Sequence, residues 1–157
     1  MMQFFPIGET DFDAFHKLAD AYYREGEDAQ TPQEEIDSFI SFLFDKVVKG
    51  EIYGLFTKNG CEYIGFALWA IDTEDFAFCE IPGFGTILEI GIAPPYRASG
   101  RGKEFVSYIE QCIQRFGVKH CYVSAYGPAQ TFWENCGYAE NGKTANNGLP
   151  ILTKELT

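Results

Sequence analysis

The 157-residue chain lacks several things whose absence narrows its chemistry. Its five cysteines, at positions 61, 79, 112, 121 and 136, form no CxxC pair and are odd in number. That spacing gives neither a zinc framework nor a disulfide scaffold, and scattered thiols read as small core hydrophobes of a reducing compartment, hence the cytoplasm. No apolar run approaches the roughly 20 residues needed to span a bilayer; among the longest is Ile64 to Ile71. The opening Met1-Met2-Gln3-Phe4-Phe5-Pro6 shows no basic stretch followed by an apolar core, so no secretory signal is read there. Positive charge is scarce: 12 Lys and Arg stand against 23 Asp and Glu, a net charge of -11 that speaks against nucleic acid and anionic membranes as partners. Low-complexity segments, repeats and linkers are missing too, and with 46% apolar residues the chain is expected to fold as a single domain over 1–157.

The acidic charge is unevenly placed. Residues 1–80 hold 17 Asp and Glu against 5 Lys and Arg, giving -12, whereas residues 81–157 hold 6 against 7, giving +1. One half is suited to attract a cation and the other to receive a polyanion, although acidic helices also serve solubility alone.

Hydrophobic periodicity predicts the order β-α-α-β-β-β-α-β-α-β-β. Gln3 to Ile7 reads as a strand. Thr10-Asp11-Phe12-Asp13 resembles a capping box ahead of a helix whose stripe is Phe12, Phe15, Leu18, Ala19 and Tyr22. Thr31-Pro32-Gln33-Glu34 marks a second helix start, with Thr31 as the cap, a stripe of Ile36, Phe39, Ile40, Leu43, Phe44 and Val47, and Gly50 as the stop. Strands follow at Ile52 to Phe56 and Tyr63 to Ile71, joined by a turn at Lys58-Asn59-Gly60. An aromatic-rich connection, Thr73 to Gly85, leads to a strand at Thr86 to Ile92. A helix from Gly102 to Phe116 buries Phe105, Val106, Ile109, Cys112, Ile113 and Phe116 and stops at Gly117. Cys121 to Ala125 is a strand and Pro128 to Cys136 a short helix; Tyr138 and Leu149 to Leu156 complete a mixed sheet of an α/β (α+β mixed) fold.

The chemistry is concentrated where the strand ending at Ile92 meets the helix beginning near Gly102, through Ala93-Pro94-Pro95-Tyr96-Arg97-Ala98-Ser99-Gly100-Arg101-Gly102-Lys103. Unsatisfied backbone N–H groups and the helix dipole make such a junction an anion site. Gly100 and Gly102 let the main chain approach a phosphate closely, and Arg97, Arg101 and Lys103 add full charges. A Walker A loop would need Gly at 97 and Ser or Thr at 104, where Arg97 and Glu104 stand. The dinucleotide fingerprint would need Gly at 105, which is Phe105.

The pattern R-x-x-G-x-G at Arg97, Gly100 and Gly102, set between a strand and a helix, resembles the pyrophosphate-binding motif of the GNAT acetyltransferases. Downstream, Ala129-Gln130-Thr131-Phe132-Trp133-Glu134-Asn135-Cys136-Gly137-Tyr138 resembles the A-x-x-x-(F/Y)-x-x-x-G-(F/Y) block of that family, and the order of elements suits it across nearly the whole chain. The resemblance implies a mostly antiparallel sheet with a splayed strand pair and helices on both faces. It implies acetyl-CoA as cosubstrate, with no metal indicated, and direct transfer of acetyl from thioester to amine. Carried over residue by residue, Ile90, Gly91 and Ile92 would contact the pantetheine arm. Arg97, Ala98, Ser99, Gly100, Arg101, Gly102 and Lys103 would hold the pyrophosphate. Two positions depart from the family. Arg101 stands where a small or branched apolar residue is usual, and contacts a CoA phosphate or solvent. Trp133, assigned to the cofactor site, stands where many members carry a Tyr that protonates the leaving thiolate, and an indole N–H is a poor acid. Tyr126 is therefore the candidate general acid, with ordinary packing as the alternative.

An attacking amine must be neutral. For a lysine-like ammonium, pKa about 10.4, this costs roughly 4–5 kcal/mol at pH 7, which a nearby carboxylate lowers by taking the proton. Glu89 is the only carboxylate in its strand and matches an acidic position of many relatives; a solvent-facing glutamate is the plain alternative. His16, His120 and the cysteines lack any partner in a nucleophile arrangement.

In the GNAT fold the first two helices and their connection wall the acceptor site. Here that region carries Tyr22, Glu25, Glu27 and Asp28, with Glu34, Glu35 and Asp37 beyond and Asp72, Glu74 and Asp75 on a second loop, which favours a small cationic amine. A protein N-terminus or lysine side chain is the alternative acceptor, and a CoA-binding module of little activity is the alternative of another class. Oligomeric state is left open, a homodimer included.

Overall fold

The computed structural model describes residues 2–26, 28–76 and 78–157. Its elements run in the order expected: β1 (Gln3–Pro6), α1 (Phe12–Glu25), α2 (Gln33–Val48), β2 (Tyr53–Asn59), β3 (Glu62–Ile71), β4 (Gly85–Ile92), a 3₁₀ turn (Pro94–Tyr96), α3 (Arg101–Gln114), β5 (His120–Ser124), α4 (Gly127–Asn135), β6 (Ala139–Thr144) and β7 (Pro150–Glu155). The strands follow one another in the sheet as β1-β2-β3-β4-β5-β7-β6. β1 with β2, β5 with β7 and β6 with β7 are antiparallel, and β4 with β5 is parallel. The parallel register pairs Gly85 with Cys121 and Thr86 with Tyr122, at the starts of both strands, and ends there while both strands run on. By internal contacts the chain forms two compact units, Met1–Leu68 with Glu89–Gly102, and Trp69–Leu88 with Lys103–Thr157.

In the first unit, α1 buries Phe15, Ala19 and Tyr23, each four residues from the last, and α2 buries Ile36, Ile40 and Leu43. The stripe expected on α1 ended on Tyr22. The structure instead turns Tyr23 into the core and leaves Tyr22 half-buried, because the i, i+4 row inclines across the helix surface. Phe39, expected in the core, is 40% exposed. Phe15 meets Phe66 edge-on at 5.6 Å between ring centres, docking α1 onto β3. A Cβ at Gly65 would lie 2.5 Å from the carbonyl oxygen of Gly91, so only glycine lets β3 and β4 run this close. Neither expected cap forms. Asp11, not Thr10, precedes α1, and its Oδ2 accepts from the backbone N–H of Gly8 at 2.7 Å instead of capping the helix. Pro32 precedes α2, and the Thr31 hydroxyl donates to Asp28 at 3.3 Å. His16 and Asp37 tie the two helices at 2.7 Å, with the Gln33 amide donating to Asp20 and Asp37.

In the second unit, α3 buries Phe105, Val106, Ile109 and Ile113, and its last turn packs so tightly on the start of β4 that a Cβ at Gly85 would come within 2.6 Å of Ile113. Phe116, expected on that face, is 55% exposed because the helix ends at Gln114, and Glu110 is buried in its stead. Glu110 accepts from the Tyr138 hydroxyl at 2.8 Å and from Lys154 Nζ at 2.9 Å, which satisfies a charge that burial alone would make costly. Asp72, read from the sequence as part of a surface lure for cations, is 1% exposed. One of its oxygens accepts from the backbone N–H groups of Glu80 and Ile81, both at 2.8 Å, and from the Tyr122 hydroxyl at 2.6 Å. It is the internal brace of the 73–84 connection.

Candidate active site

The junction after β4 is built as its sequence requires. Pro94 and Pro95 end the strand by removing backbone donors, and the 3₁₀ turn they open leads into the loop. Ala98 and Gly100 both sit in the left-handed region, at φ 69° and 79°. For Gly100 this is cheap; for Ala98 it costs about 1 kcal/mol, a strain that marks loops shaped for a ligand. Left-handed residues bend a loop sharply, and such bends are one component of backbone anion sites. The space over Gly100 is open, with nothing within 4 Å of where a Cβ would stand, so backbone there is accessible to a phosphate group. On this geometry the loop fits a pyrophosphate.

Its cations are not all aimed outward. The Arg97 Nε donates to the Ile92 carbonyl at 2.7 Å, and its other end forms an ion pair with Glu25 at 2.7 Å. The sequence placed these two residues at separate subsites, the pyrophosphate loop and the acceptor wall; the fold joins them. Arg101 donates to Ser99 Oγ at 2.8 Å and lies over the Tyr96 ring, so the residue that departs from the family pattern braces the loop. Lys103 is exposed.

Upstream on β4, Glu89 lies close to the end of α1. Part of the residue's surface reaches solvent, yet its carboxyl is enclosed by protein atoms. That desolvation raises its pKa from an ordinary 4.5 to about 7. Hydrogen bonds from the Tyr22 and Tyr23 side chains pull the other way, and the negative charge of Asp28 adds to the rise. The Tyr23 hydroxyl is buried and finds no partner within strict hydrogen-bond geometry. Burial also pushes the Tyr23 hydroxyl far above its usual range. Gly91, on the same strand, is where the Tyr22 ring comes to rest, for a Cβ there would stand 2.7 Å from Tyr22 Cδ1.

The connection between α1 and α2 is shaped by Arg24. Its guanidinium donates to the Thr31 carbonyl at 2.6 Å and to the Gln33 side chain at 2.7 Å, folding back the segment that carries Asp28. Glu27, also assigned to the acceptor wall, lies outside the described residues. Thus Tyr22, Glu25, Asp28, Glu89, Gly91, Ile92 and Arg97 belong to one unit. From the sequence Tyr23, like Tyr22, is a candidate to line the acceptor pocket; its action on Glu89 was not foreseen.

Tyr126 and Trp133 belong to the second unit. Tyr126 precedes α4, is 37% exposed, and its carbonyl accepts from the N–H of Ala129. Trp133 is buried on α4, edge-on to Phe132 and Tyr138 at 5.1 and 5.3 Å between ring centres.

The fold matches solved acetyltransferases at low identity. The PaiA N-acetyltransferase of Thermoplasma acidophilum, in complex with coenzyme A, superposes with a TM-score of 0.77 at 16% identity, over 99% of each chain. An acetyltransferase from Thermus thermophilus gives 0.76 at 16% identity, over 99% of this chain and 97% of its own. AAC(6')-Iy, in complex with the bisubstrate analog CoA-S-monomethyl-acetylneamine, gives 0.72 at 13% identity, over 92% and 95%. No curated protein matches the sequence. The model of the acetyltransferase (GNAT) family matches residues 12–138, from the first turn of α1 to the tyrosine that closes the downstream block, so the chain belongs to the GNAT family of acetyltransferases.

Proposed function

We propose that residues 1–157 form one acetyltransferase domain, working in the cytoplasm, that moves acetyl from acetyl-CoA to a small cationic primary amine by direct transfer. The observation that carries this reading is Glu89, a carboxyl on the strand leading to the phosphate loop whose pKa stands at about 7. A base poised near the working pH combines the right protonation state with enough driving force to take a proton from an ammonium group. Glu89 takes the ammonium proton and passes it to solvent. The neutral nitrogen attacks the thioester carbonyl, a C–N bond forms as the C–S bond breaks, the second nitrogen proton passes to Glu89, and the thiolate takes a proton from Tyr126, which solvent restores. Ile90, Gly91 and Ile92 offer backbone to the pantetheine arm, and residues 97–103 hold the pyrophosphate, with Trp133 on the cofactor side. Tyr22, Glu25, Glu27 and Asp28 wall the acceptor; with Glu25 paired to Arg97, Glu27 and Asp28 are the carboxylates left to select for positive charge. The bisubstrate complex of AAC(6')-Iy, which joins CoA to acetylneamine, supports an amine acceptor in this fold.

The test is thiol release from acetyl-CoA across a panel of mono-, di- and polyamines. Turnover that rises with amine charge and falls at least about tenfold in Glu89→Gln, with acetyl-CoA affinity kept, is the expected result. Tight acetyl-CoA binding with no amine turned over would replace this reading with that of a CoA-binding module. Turnover confined to peptides would replace the acceptor with a protein N-terminus or lysine.

A further inference from the structure

We propose that Tyr22 is a positioning residue for Glu89, its ring seated on Gly91 and its hydroxyl holding the carboxyl in place; this rests on the reading of Glu89 as the base. The packing argues for it first. The Tyr22 ring stands T-shaped to Phe66 at 5.5 Å and to Tyr23 at 5.2 Å between ring centres, with interplanar angles of 89° and 72°. On its remaining side it touches β4 at Gly91, the position in that strand where a Cβ would collide with it, at 2.7 Å. A ring fixed on three sides carries its hydroxyl to one place, and that place is the Glu89 carboxyl, two residues before Gly91. Strand alternation puts residues 89 and 91 on the same face of β4, so one helix side chain spans both. Glycine at 91 therefore has a second purpose beside any backbone contact to cofactor: it makes room for the side chain that orients the base.

Among the described residues, the titratable groups that act on Glu89 are Tyr22 and Tyr23 from α1 and Asp28 from the α1–α2 connection. Of the two tyrosines Tyr22 does more to favour the ionised carboxylate, and Tyr23 finds no partner in strict geometry, so Tyr22 is taken as the main donor. Removing that donor disfavours the charged form.

The experiment compares wild type with Tyr22→Phe, which keeps the ring on Gly91 and loses the hydroxyl, and with Gly91→Ala, which keeps the hydroxyl and displaces the ring. The pH profile of kcat/KM for one fixed amine is measured for each, so that the amine's own titration is common to all. The acidic inflection is expected to move up by about one pH unit in both variants, with acetyl-CoA affinity within about twofold of wild type for Tyr22→Phe. A second readout needs no turnover: the pH dependence of unfolding stability for each protein against its Glu89→Gln counterpart, which reports the Glu89 proton directly. If the stability inflection moves and the kinetic one does not, Tyr22 positions Glu89 but Glu89 is not the base, and the functional reading fails. If neither inflection moves in Tyr22→Phe, the positioning role is overturned.

Discussion

Replacing Glu89 by glutamine keeps the shape of the side chain and removes a proton-binding group that the fold holds at a cost. In the unfolded chain this carboxyl titrates near its ordinary 4.5, and in the folded protein near 7. Between those values the folded state binds more protons than the unfolded state, so stability falls as pH rises. The full effect of a difference of about 2.5 in pKa is about 3 kcal/mol, reached above pH 7. At pH 5 about 0.8 kcal/mol of it is already lost, so the step from pH 5 to pH 8 is worth about 2.5 kcal/mol. Glutamine does not titrate. Glu89→Gln should therefore be within about 1 kcal/mol of wild type in stability at pH 5 and about 3 kcal/mol more stable at pH 8, or about 6–12 °C in Tm for a chain of this size. Urea unfolding of both proteins at half-unit steps from pH 5 to pH 8 measures this, and titrating groups that do not interact with Glu89 cancel in the difference. Parallel stability curves for the two proteins would refute the reasoning, since they would mean that Glu89 titrates alike folded and unfolded. A protein that is stabilised and inactivated by the same change is the signature of a group kept for chemistry at the expense of the fold.

Other consequences follow from particular contacts. Gly100→Val places a branched side chain at φ 79° and over the open loop backbone, so the acetyl-CoA-induced rise in Tm should vanish while the protein remains folded; an undiminished shift would remove residues 97–103 from the cofactor site. Glu25→Gln releases Arg97 from a half-exposed ion pair worth at most about 1 kcal/mol, so acetyl-CoA should bind up to about fivefold tighter at low salt, read by calorimetry, with stability within about 0.5 kcal/mol of wild type. Asp28→Asn should raise the acceptor's KM at saturating acetyl-CoA and flatten its salt dependence, because screening lengths fall from about 10 Å at 0.1 M to about 3 Å at 1 M; identical values at every salt concentration would leave that carboxylate a solubility group. Asp72→Ala strips two backbone N–H groups and the Tyr122 hydroxyl of their acceptor and should cost about 3 kcal/mol or more in urea unfolding.

What the sequence determined by itself is what short range controls. The order of elements followed from periodicity, because a strand or helix repeats its apolar residues within a few positions. The strand–loop–helix junction was legible for the same reason: Arg97, Gly100 and Gly102 lie within six residues, between the prolines that end β4 and the helix that follows. Helix caps, also local, were misread because Asp11 and Thr31 had competing partners at Gly8 and Asp28, and a side chain with two acceptable partners is settled by the path of the chain. Only the tertiary structure decided the charges. Glu89 on its strand could face water or protein, and the polar groups that act on it, Tyr22, Tyr23 and Asp28, come some sixty residues earlier. Arg97 and Glu25 were assigned to different ends of the site and proved to be a pair, and Asp72 was counted as surface and proved to be a buried brace. A carboxylate's proton affinity and its partners depend on solvent exclusion and on charges brought near in space, and neither quantity is carried by its neighbours along the chain.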